Sequence, residues 1–124
     1  MATQNIGQVI TGIAGADLST AQYKFVKLAT DGEYDLAGNG AQAEGVAQND
    51  PAAQGRALAV ATAGIVKVVV GTGGLTAGDE VASDTGGVAI TAASGDAILG
   101  VALDDAAVGT VGRVLLNKGA AATV

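Results

Sequence analysis

Histidine, cysteine and tryptophan are all missing from this chain of 124 residues. Without cysteine the chain can form no disulfide, and its redox compartment cannot be read from the sequence. Without histidine it lacks the commonest general base and the commonest metal ligand, so Ser-His-Asp and Cys-His catalytic sites are excluded. These absences favour a protein that is not an enzyme and that uses no cofactor.

Aromatic and charged side chains are scarce. Aromatic residues make up 2% of the chain and charged residues 15%, against about 25% charged residues in an average globular domain. Alanine supplies 27 residues, so a thin core must be built from valine, leucine and isoleucine. A small domain with so few charges has difficulty keeping its whole surface in water. We therefore expect other subunits or a larger partner to cover part of it.

Charge of positive sign is also in short supply. Six basic residues against twelve acidic ones give a net charge of −6. Such a chain repels phosphate backbones and anionic lipids, which argues against nucleic acid and membranes as partners. No run of about 18 apolar residues marks a membrane span, and residues 1–5 lack the basic start of a secretion signal. We expect a protein that stays inside the cell that makes it.

The stretch from residue 64 to residue 92 predicts the fold. Residues 65–70 are mostly β-branched and suit a packed, pleated surface. Gly-rich turns at 71–74 and 84–87 separate short apolar runs, a spacing typical of a small β-sandwich or barrel. Helix is disfavoured because each interior glycine costs a helix about 1 kcal/mol. The predicted fold class is all-β, a small Gly/Val/Ala-rich barrel or sandwich of short strands and hairpins.

Residues 1–16 predict an extended N-terminal arm rather than a helix, because glycines interrupt its aliphatic residues. Such an arm needs a surface to lie on, either its own barrel or a neighbouring molecule. We expect the arm to form part of an interface with another subunit or a larger partner. The aliphatic residues that would make this interface are Ile6, Val9, Ile10 and Ile13. A single β domain over 17–118 and a flexible tail over 119–124 complete the predicted organisation.

A hairpin follows the arm. Residues 22–28 predict a strand, Asp31-Gly32 is a signal for a tight two-residue turn, and residues 33–36 return. Aromatic contacts across the two strands would fix their register. The three aromatic residues of the chain all fall in this hairpin, and they are Tyr23, Phe25 and Tyr34.

An internal repeat links residues 45–60 with residues 100–116. Both segments read as a Gly-Val-Ala strand, an acidic Ala-rich turn and an apolar strand. Aligning Gly55-Arg56 with Gly112-Arg113 gives the second copy two extra residues. We predict two similar hairpins on either side of the central stretch, too few copies for a solenoid.

Two motifs suggest ligands and fail on inspection. A phosphate loop at Gly71–Gly74 would need a following lysine and a helix start, and neither follows. A calcium loop that begins at Asp31 would need glycine at its sixth position and glutamate at its twelfth, where Leu36 and Gln42 stand. Turns explain both stretches, so no metal, cofactor or small-molecule substrate is predicted.

Other catalytic arrangements find little support. Two of the twelve carboxylates could in principle converge for glycoside hydrolysis, but three aromatic rings offer few sugar platforms. Ser-Lys catalysis stays formally open, although none of Ser19, Ser83 and Ser94 stands in a Ser-x-x-Lys motif.

The order of the Gly/Ala/Val motifs along the chain resembles that of small capsid decoration (cement) proteins of tailed bacteriophages. Each motif alone is of low complexity, and their order and spacing together carry the resemblance over residues 17–117. The motifs are DLSTAQYKFVKL at 17–28, GVAQNDPAAQG at 45–55, AGIVKV at 63–68, LTAGD at 75–79 and LGVAL at 99–103.

This resemblance implies a non-catalytic β-rich protein on the outer capsid surface of a virion. Such proteins sit as trimers at threefold or quasi-threefold positions, bind the major capsid protein and hold neighbouring capsomers together against the pressure of packaged DNA. The family offers no catalytic motif to carry over.

Two other classes stay open. One is another virion subunit, such as a head-fibre base or a tail component. The other is a lipoyl or biotinyl carrier, which needs a lysine at an exposed hairpin tip. Lys67 is instead expected in the middle of a strand.

Overall fold

The computed structural model describes residues 5–16, 18, 20–29, 31–49 and 54–117, with only the backbone of residues 5 and 6. Its nine strands are β1 (Asn5–Ile13), β2 (Phe25–Leu28), β3 (Tyr34–Leu36), β4 (Gly45–Ala47), β5 (Ala57–Val69), β6 (Glu80–Ser83), β7 (Ala89–Thr91), β8 (Gly100–Ala102) and β9 (Val111–Leu116). The described residues contain no helix. The prediction of an all-β fold is confirmed.

The strands form a single sheet that curls on itself. Its order is β3-β2-β4-β5-β9-β8-β6-β7, and β1 lies on the opposite edge of β5 from β4 and β9. The far ends of this order meet where the Phe25 N–H donates to the carbonyl of Gly87, in the β6–β7 turn, at 2.7 Å. The result is the small barrel-like fold that the sequence predicts.

Strand β5 serves both halves of the sheet because its side-chain alternation resets between Ala61 and Val66, where its pairing with β1 also shifts register. Leu58 and Val60 point to one side of the sheet, whereas Val66 and Val68 point to the other, although all four have even numbers. Regular pleating would place them on one face. Gly64 has φ +93°, a conformation that favours glycine, and it lies between the two pairs.

Two clusters of buried side chains result. The large cluster fills the inside of the curl and consists of Phe25, Ala37, Ala43, Val46, Ala61, Val66, Val68, Val70, Leu75, Val81, Ala89, Ala97, Leu99, Ala102 and Val114. The small cluster lies on the other side of β2, β4 and β5 and consists of Ala14, Leu18, Ala21, Val26, Tyr34, Ala47, Leu58 and Val60.

The fold is an internal duplication that extends well beyond the hairpins seen in the sequence. Strands β2, β3 and β4 recur 55 positions later as β6, β7 and β8, with the same pairing partners. The turns repeat too: the Tyr23 N–H donates to Ala47 O at 2.8 Å, and the Gly78 N–H donates to Ala102 O at 2.8 Å. We call residues 5–61 the first repeat and residues 62–116 the second.

The alignment of the predicted hairpins needs correction. Ala47 pairs with Val60 in the first repeat, and Ala102 pairs with Val114 in the second. The paired residues are therefore 13 positions apart in the first repeat and 12 positions apart in the second. The second copy is one residue shorter, not two longer, because Arg56 precedes its strand whereas Arg113 lies within β9.

The β2–β3 hairpin is confirmed, but two of its predicted details are wrong. The Ala29 N–H donates to Glu33 O at 2.8 Å, so the closure is wider than the two-residue turn predicted at Asp31-Gly32. The aromatic rings also do not meet across the strands. Phe25 belongs to the large cluster and Tyr34 to the small one, so the two rings lie on opposite sides of the sheet. Tyr23 lies before β2 and is not part of the strand.

Candidate interaction surface

The N-terminal arm forms β1, an edge strand that lies on its own chain. It runs antiparallel to β5, from the pair Asn5 and Ile65 to the pair Ile13 and Ala57. Among the described residues no other named strand pairs with β1, so its second edge is available to an added strand. Gly12 fixes the arm against β3, because a Cβ at this position would lie 2.8 Å from the ring of Tyr34.

The predicted interface residues of the arm are divided between its two faces. Val9 and Ile13 point outward and are 48% and 40% exposed. Ile10 points inward and packs on the small cluster. Ile6 belongs to β1 by its backbone, and its side chain lies outside the described atoms. The structure thus brings Val9 and Ile13 together on one outer face and directs Ile10 into the core.

Several other large aliphatic side chains lie on the surface. Besides the two in the arm, four are more than a third exposed. They are Leu28 (49%), Val108 (59%), Val111 (39%) and Leu115 (41%). Sequence reasoning missed these residues, because strand position and face become known only once the register is fixed.

The outer face of β8, β9 and β5 carries an apolar row. Val101 pairs with Leu115, and Leu115 pairs with Ile65 on its other side. Leu115 is exposed and its two neighbours are half-buried. Cross-strand neighbours on one face lie about 4.5–5.5 Å apart at their Cβ atoms, so the three form one continuous aliphatic strip.

Basic side chains border this strip. Lys67 and Arg113 are cross-strand partners in the next row of β5 and β9. The Nζ of Lys67 lies 5.7 Å from the centre of the Tyr23 ring, a distance at which a cation is attracted to an aromatic face. Lys67 therefore lies in mid-strand, as expected, and not at the hairpin tip that a lipoyl or biotinyl carrier requires.

Arg113 forms the ion pair of this face. Its Nε and Nη2 donate to the carboxylate of Asp104 at 2.6 and 2.9 Å, a two-pronged geometry. These hydrogen bonds and the positive charge of Arg113 hold the pKa of Asp104 below its ordinary value. The same hydrogen bonds and the negative charge of Asp104 raise the pKa of Arg113. The side chains stay 37% and 30% exposed, so solvent weakens the pair.

The motifs that suggested ligands form turns. At Gly71–Gly74 the Gly74 N–H donates to Gly71 O at 3.1 Å, and no helix follows. At the β2–β3 loop, Asp31 accepts a hydrogen bond from the Glu33 N–H at 2.9 Å. Within the described ranges, no three acidic side chains come together as metal ligands. The same residues include no helix long and apolar enough to cross a membrane.

Comparison with known proteins reveals similarity at the level of the fold. No protein-family model and no curated protein matches the chain. Among solved structures, the head fiber gp8.5 N base of bacteriophage phi29 is similar over 89% of this chain and 93% of its own length. The TM-score is 0.74 and the sequence identity 16%. This chain therefore shares the fold of a phage head fiber base.

Proposed function

We propose that this chain is a non-enzymatic structural protein of a bacteriophage virion, bound to the outer surface of the head. The observation that carries the proposal is the fold shared with the phi29 head fiber base over nearly all of both chains. The exposed aliphatic side chains and the low charge content support it, because a surface of this kind is suited to contact with other proteins.

In the finer form of this proposal, the protein is a decoration protein that assembles as trimers and clamps neighbouring capsomers of the major capsid protein. A cement protein stabilises the shell by binding the assembled lattice and not the separated subunits. Many copies of moderate affinity then act together through a high effective concentration. The outer face of β1, with Val9 and Ile13, is the predicted capsid contact.

The second candidate is a head-fibre base, which the name of the structural neighbour favours directly. The two candidates differ in mechanical effect. A cement protein is expected to raise the temperature at which heads release DNA, because it binds the assembled lattice. A fibre base is expected to leave that temperature unchanged.

The test adds purified protein to expanded phage heads that lack it. Co-sedimentation measures the copies bound per head, and a DNA-binding dye measures the release temperature. Binding that raises the release temperature supports the cement role, whereas binding that leaves the release temperature unchanged supports the fibre base. Absence of binding to heads, together with binding to purified tails, overturns both.

The arm is tested in the same assay with Val9→Asp and Ile13→Asp. We expect a clear loss of head occupancy, since both changes place a charge on the proposed contact. Val108→Asp is the matched control, because Val108 is exposed but lies in the β8–β9 turn. Unchanged occupancy in the two arm variants would remove the arm from the interface.

A further inference from the structure

The duplication shows what covers one face of the first repeat. Val46 and Ala61 lie on this face and are 0% exposed, and Ala43, just before β4, is 2% exposed. All three belong to the large cluster together with residues of the second repeat. Backbone hydrogen bonds connect the same surfaces: the Gly40 N–H donates to Ser83 O at 2.8 Å. The second repeat thus packs on the first and buries the face that carries Ala43, Val46 and Ala61.

Among the described residues, no further repeat covers the equivalent face of the second repeat. The positions equivalent to Ala43 and Val46 are Ile98 and Val101, both half-buried, and the position equivalent to Ala61 is Leu115, 41% exposed. Two of the three side chains are larger than their buried counterparts. Val101 and Leu115 are cross-strand partners, so they form a contiguous aliphatic surface, which is the kind of feature that marks a protein contact.

The covering surface is duplicated as well. Ser83 of the second repeat lies against the first repeat and is 0% exposed. Its equivalent in the first repeat is Leu28, which is 49% exposed. The covering surface is therefore also present in the first repeat, where it is exposed and carries an aliphatic leucine in place of the buried serine.

We infer that two copies of this chain bind each other by repeating the internal contact. The Leu115 surface of one copy, defined by Ile98, Val101 and Leu115, packs on the Leu28 surface of the next copy, which is defined by the exposed Leu28 at the end of β2. Different surfaces then meet at each contact, so the arrangement is head-to-tail and closes into a ring when the rotation per copy permits. The inference rests on the proposed assembly into trimers and names its surface, but it does not require capsid binding.

The contact between copies is not identical to the internal one. Phe25, which is fully buried between the repeats, is replaced at the equivalent position by the exposed Glu80. The contact between copies lacks this aromatic ring and is weaker than the covalently linked one. A reversible, concentration-dependent association follows.

The experiment uses two charge-bearing variants of the full chain and their mixture. Sedimentation equilibrium measures the mass of the wild type, Leu115→Asp, Leu28→Asp and the control Val108→Asp. We expect the wild type and the control to exceed the monomer mass of 11.8 kDa and each surface variant to remain monomeric. An equal mixture of the two variants should form dimers and nothing larger, since each partner retains one intact surface.

The outcomes separate this inference from the proposed function. A monomeric wild type, or variants that associate as well as the wild type does, overturns the inference. A mixture that stays monomeric overturns the head-to-tail arrangement. Leu115→Ala, which introduces the residue found at position 61, replaces the Asp variant if circular dichroism shows that the latter is unfolded. Association that follows this pattern in a protein that ignores phage heads supports the inference while the proposed function fails.

Discussion

Arg113 binds Asp104 with two hydrogen bonds of 2.6 and 2.9 Å across the β8–β9 hairpin. The equivalent position in the first repeat is Asn49, whose Oδ1 accepts from the Ala59 N–H at 2.9 Å. Its Nδ2 donates to Ala57 O at 3.2 Å. The side chain at this equivalent position therefore stabilises the same hairpin in both repeats. In the first repeat it is the neutral amide of Asn49, and in the second it is the carboxylate of Asp104 in an ion pair.

The ion pair predicts a pH dependence of stability. The pKa of Asp104 is lowered in the folded state, chiefly by the hydrogen bond from Arg113, from an ordinary value of 3.8. As pH falls, the unfolded chain takes up this proton first. The stabilising contribution of the pair is complete above the ordinary pKa and is lost as pH falls through the folded-state pKa. We expect the melting temperature of Asp104→Asn to fall less between pH 5 and pH 3 than that of the wild type.

The control for this prediction is Asn49→Asp, which introduces a carboxylate at the equivalent place without an arginine partner. Between pH 5 and pH 3, the melting temperature of Asn49→Asp should fall no more steeply than that of the wild type. High salt should reduce the difference between Asp104→Asn and the wild type, because the pair is partly exposed. Identical pH profiles for the wild type and Asp104→Asn would contradict the assignment.

Gly45 and Gly100 begin equivalent strands and should be intolerant of any side chain. A Cβ at Gly45 would overlap the carbonyl oxygen of Ala61, and one at Gly100 would overlap that of Leu115. Forcing a methyl group into such a site costs typically about 1–3 kcal/mol. We expect Gly45→Ala and Gly100→Ala to lower the free energy of unfolding in urea by this amount.

The matched control is Gly38→Ala. A Cβ there meets nothing within 4 Å, and the backbone does not require glycine. This change should be neutral or stabilise by about 0.4–1 kcal/mol through the unfolded state. Equal losses in all three variants would show that close approach of the neighbouring strand is not the cause.

Much of the fold was predictable from the sequence because its signals are local. The β-branched run at 65–70, the Asp31-Gly32 turn and the Gly-Val-Ala strands at 45–47 and 100–102 each determine local structure. Together they predict an all-β chain and its three hairpin-like units. The likeness of the two hairpins also follows from matching residues in the sequence.

The full duplication was not predictable, because the two repeats share the geometry of their turns at positions where their residues differ. Tyr23 and Gly78 occupy equivalent turns, and both have positive φ, 63° and 93°. A tyrosine gives no sequence signal for such a conformation, which is uncommon outside glycine. The exposed Leu28 and Leu115 were missed for a related reason, because which face a strand residue occupies depends on a register set by distant pairing.

Phe25 makes the packing between the repeats testable. It is the largest fully buried side chain and belongs to the cluster that joins the two repeats. Truncating a buried phenylalanine to alanine removes its transfer free energy and leaves a cavity, at a typical cost of about 3–5 kcal/mol. We expect Phe25→Ala to lower the free energy of unfolding by this amount in urea titrations followed by circular dichroism.

The equivalent residue in the second repeat provides the control for Phe25. Glu80 is exposed, so Glu80→Ala should change the free energy of unfolding by no more than about 0.5 kcal/mol. A small effect at both positions would indicate that the repeats do not depend on each other for stability.

Gly64 offers the sharpest test of how one strand serves two cores. It has φ +93° and lies in the segment, between Ala61 and Val66, where the alternation resets and β5 turns from one cluster to the other. A residue with a side chain is strained in this conformation, at a cost of about 1–3 kcal/mol. We expect Gly64→Ala to lower the free energy of unfolding within this range.

Valine at this position distinguishes backbone strain from strand propensity. Valine forms strands more readily than alanine does, so a regular strand position would favour Gly64→Val over Gly64→Ala. A positive φ is least compatible with β-branched residues, and we therefore expect the opposite order, with Gly64→Val the less stable of the two in urea denaturation. If Gly64→Val is as stable as Gly64→Ala or more stable, β5 can adopt regular pleating at residue 64. The conformation of Gly64 then does not determine how the two clusters form.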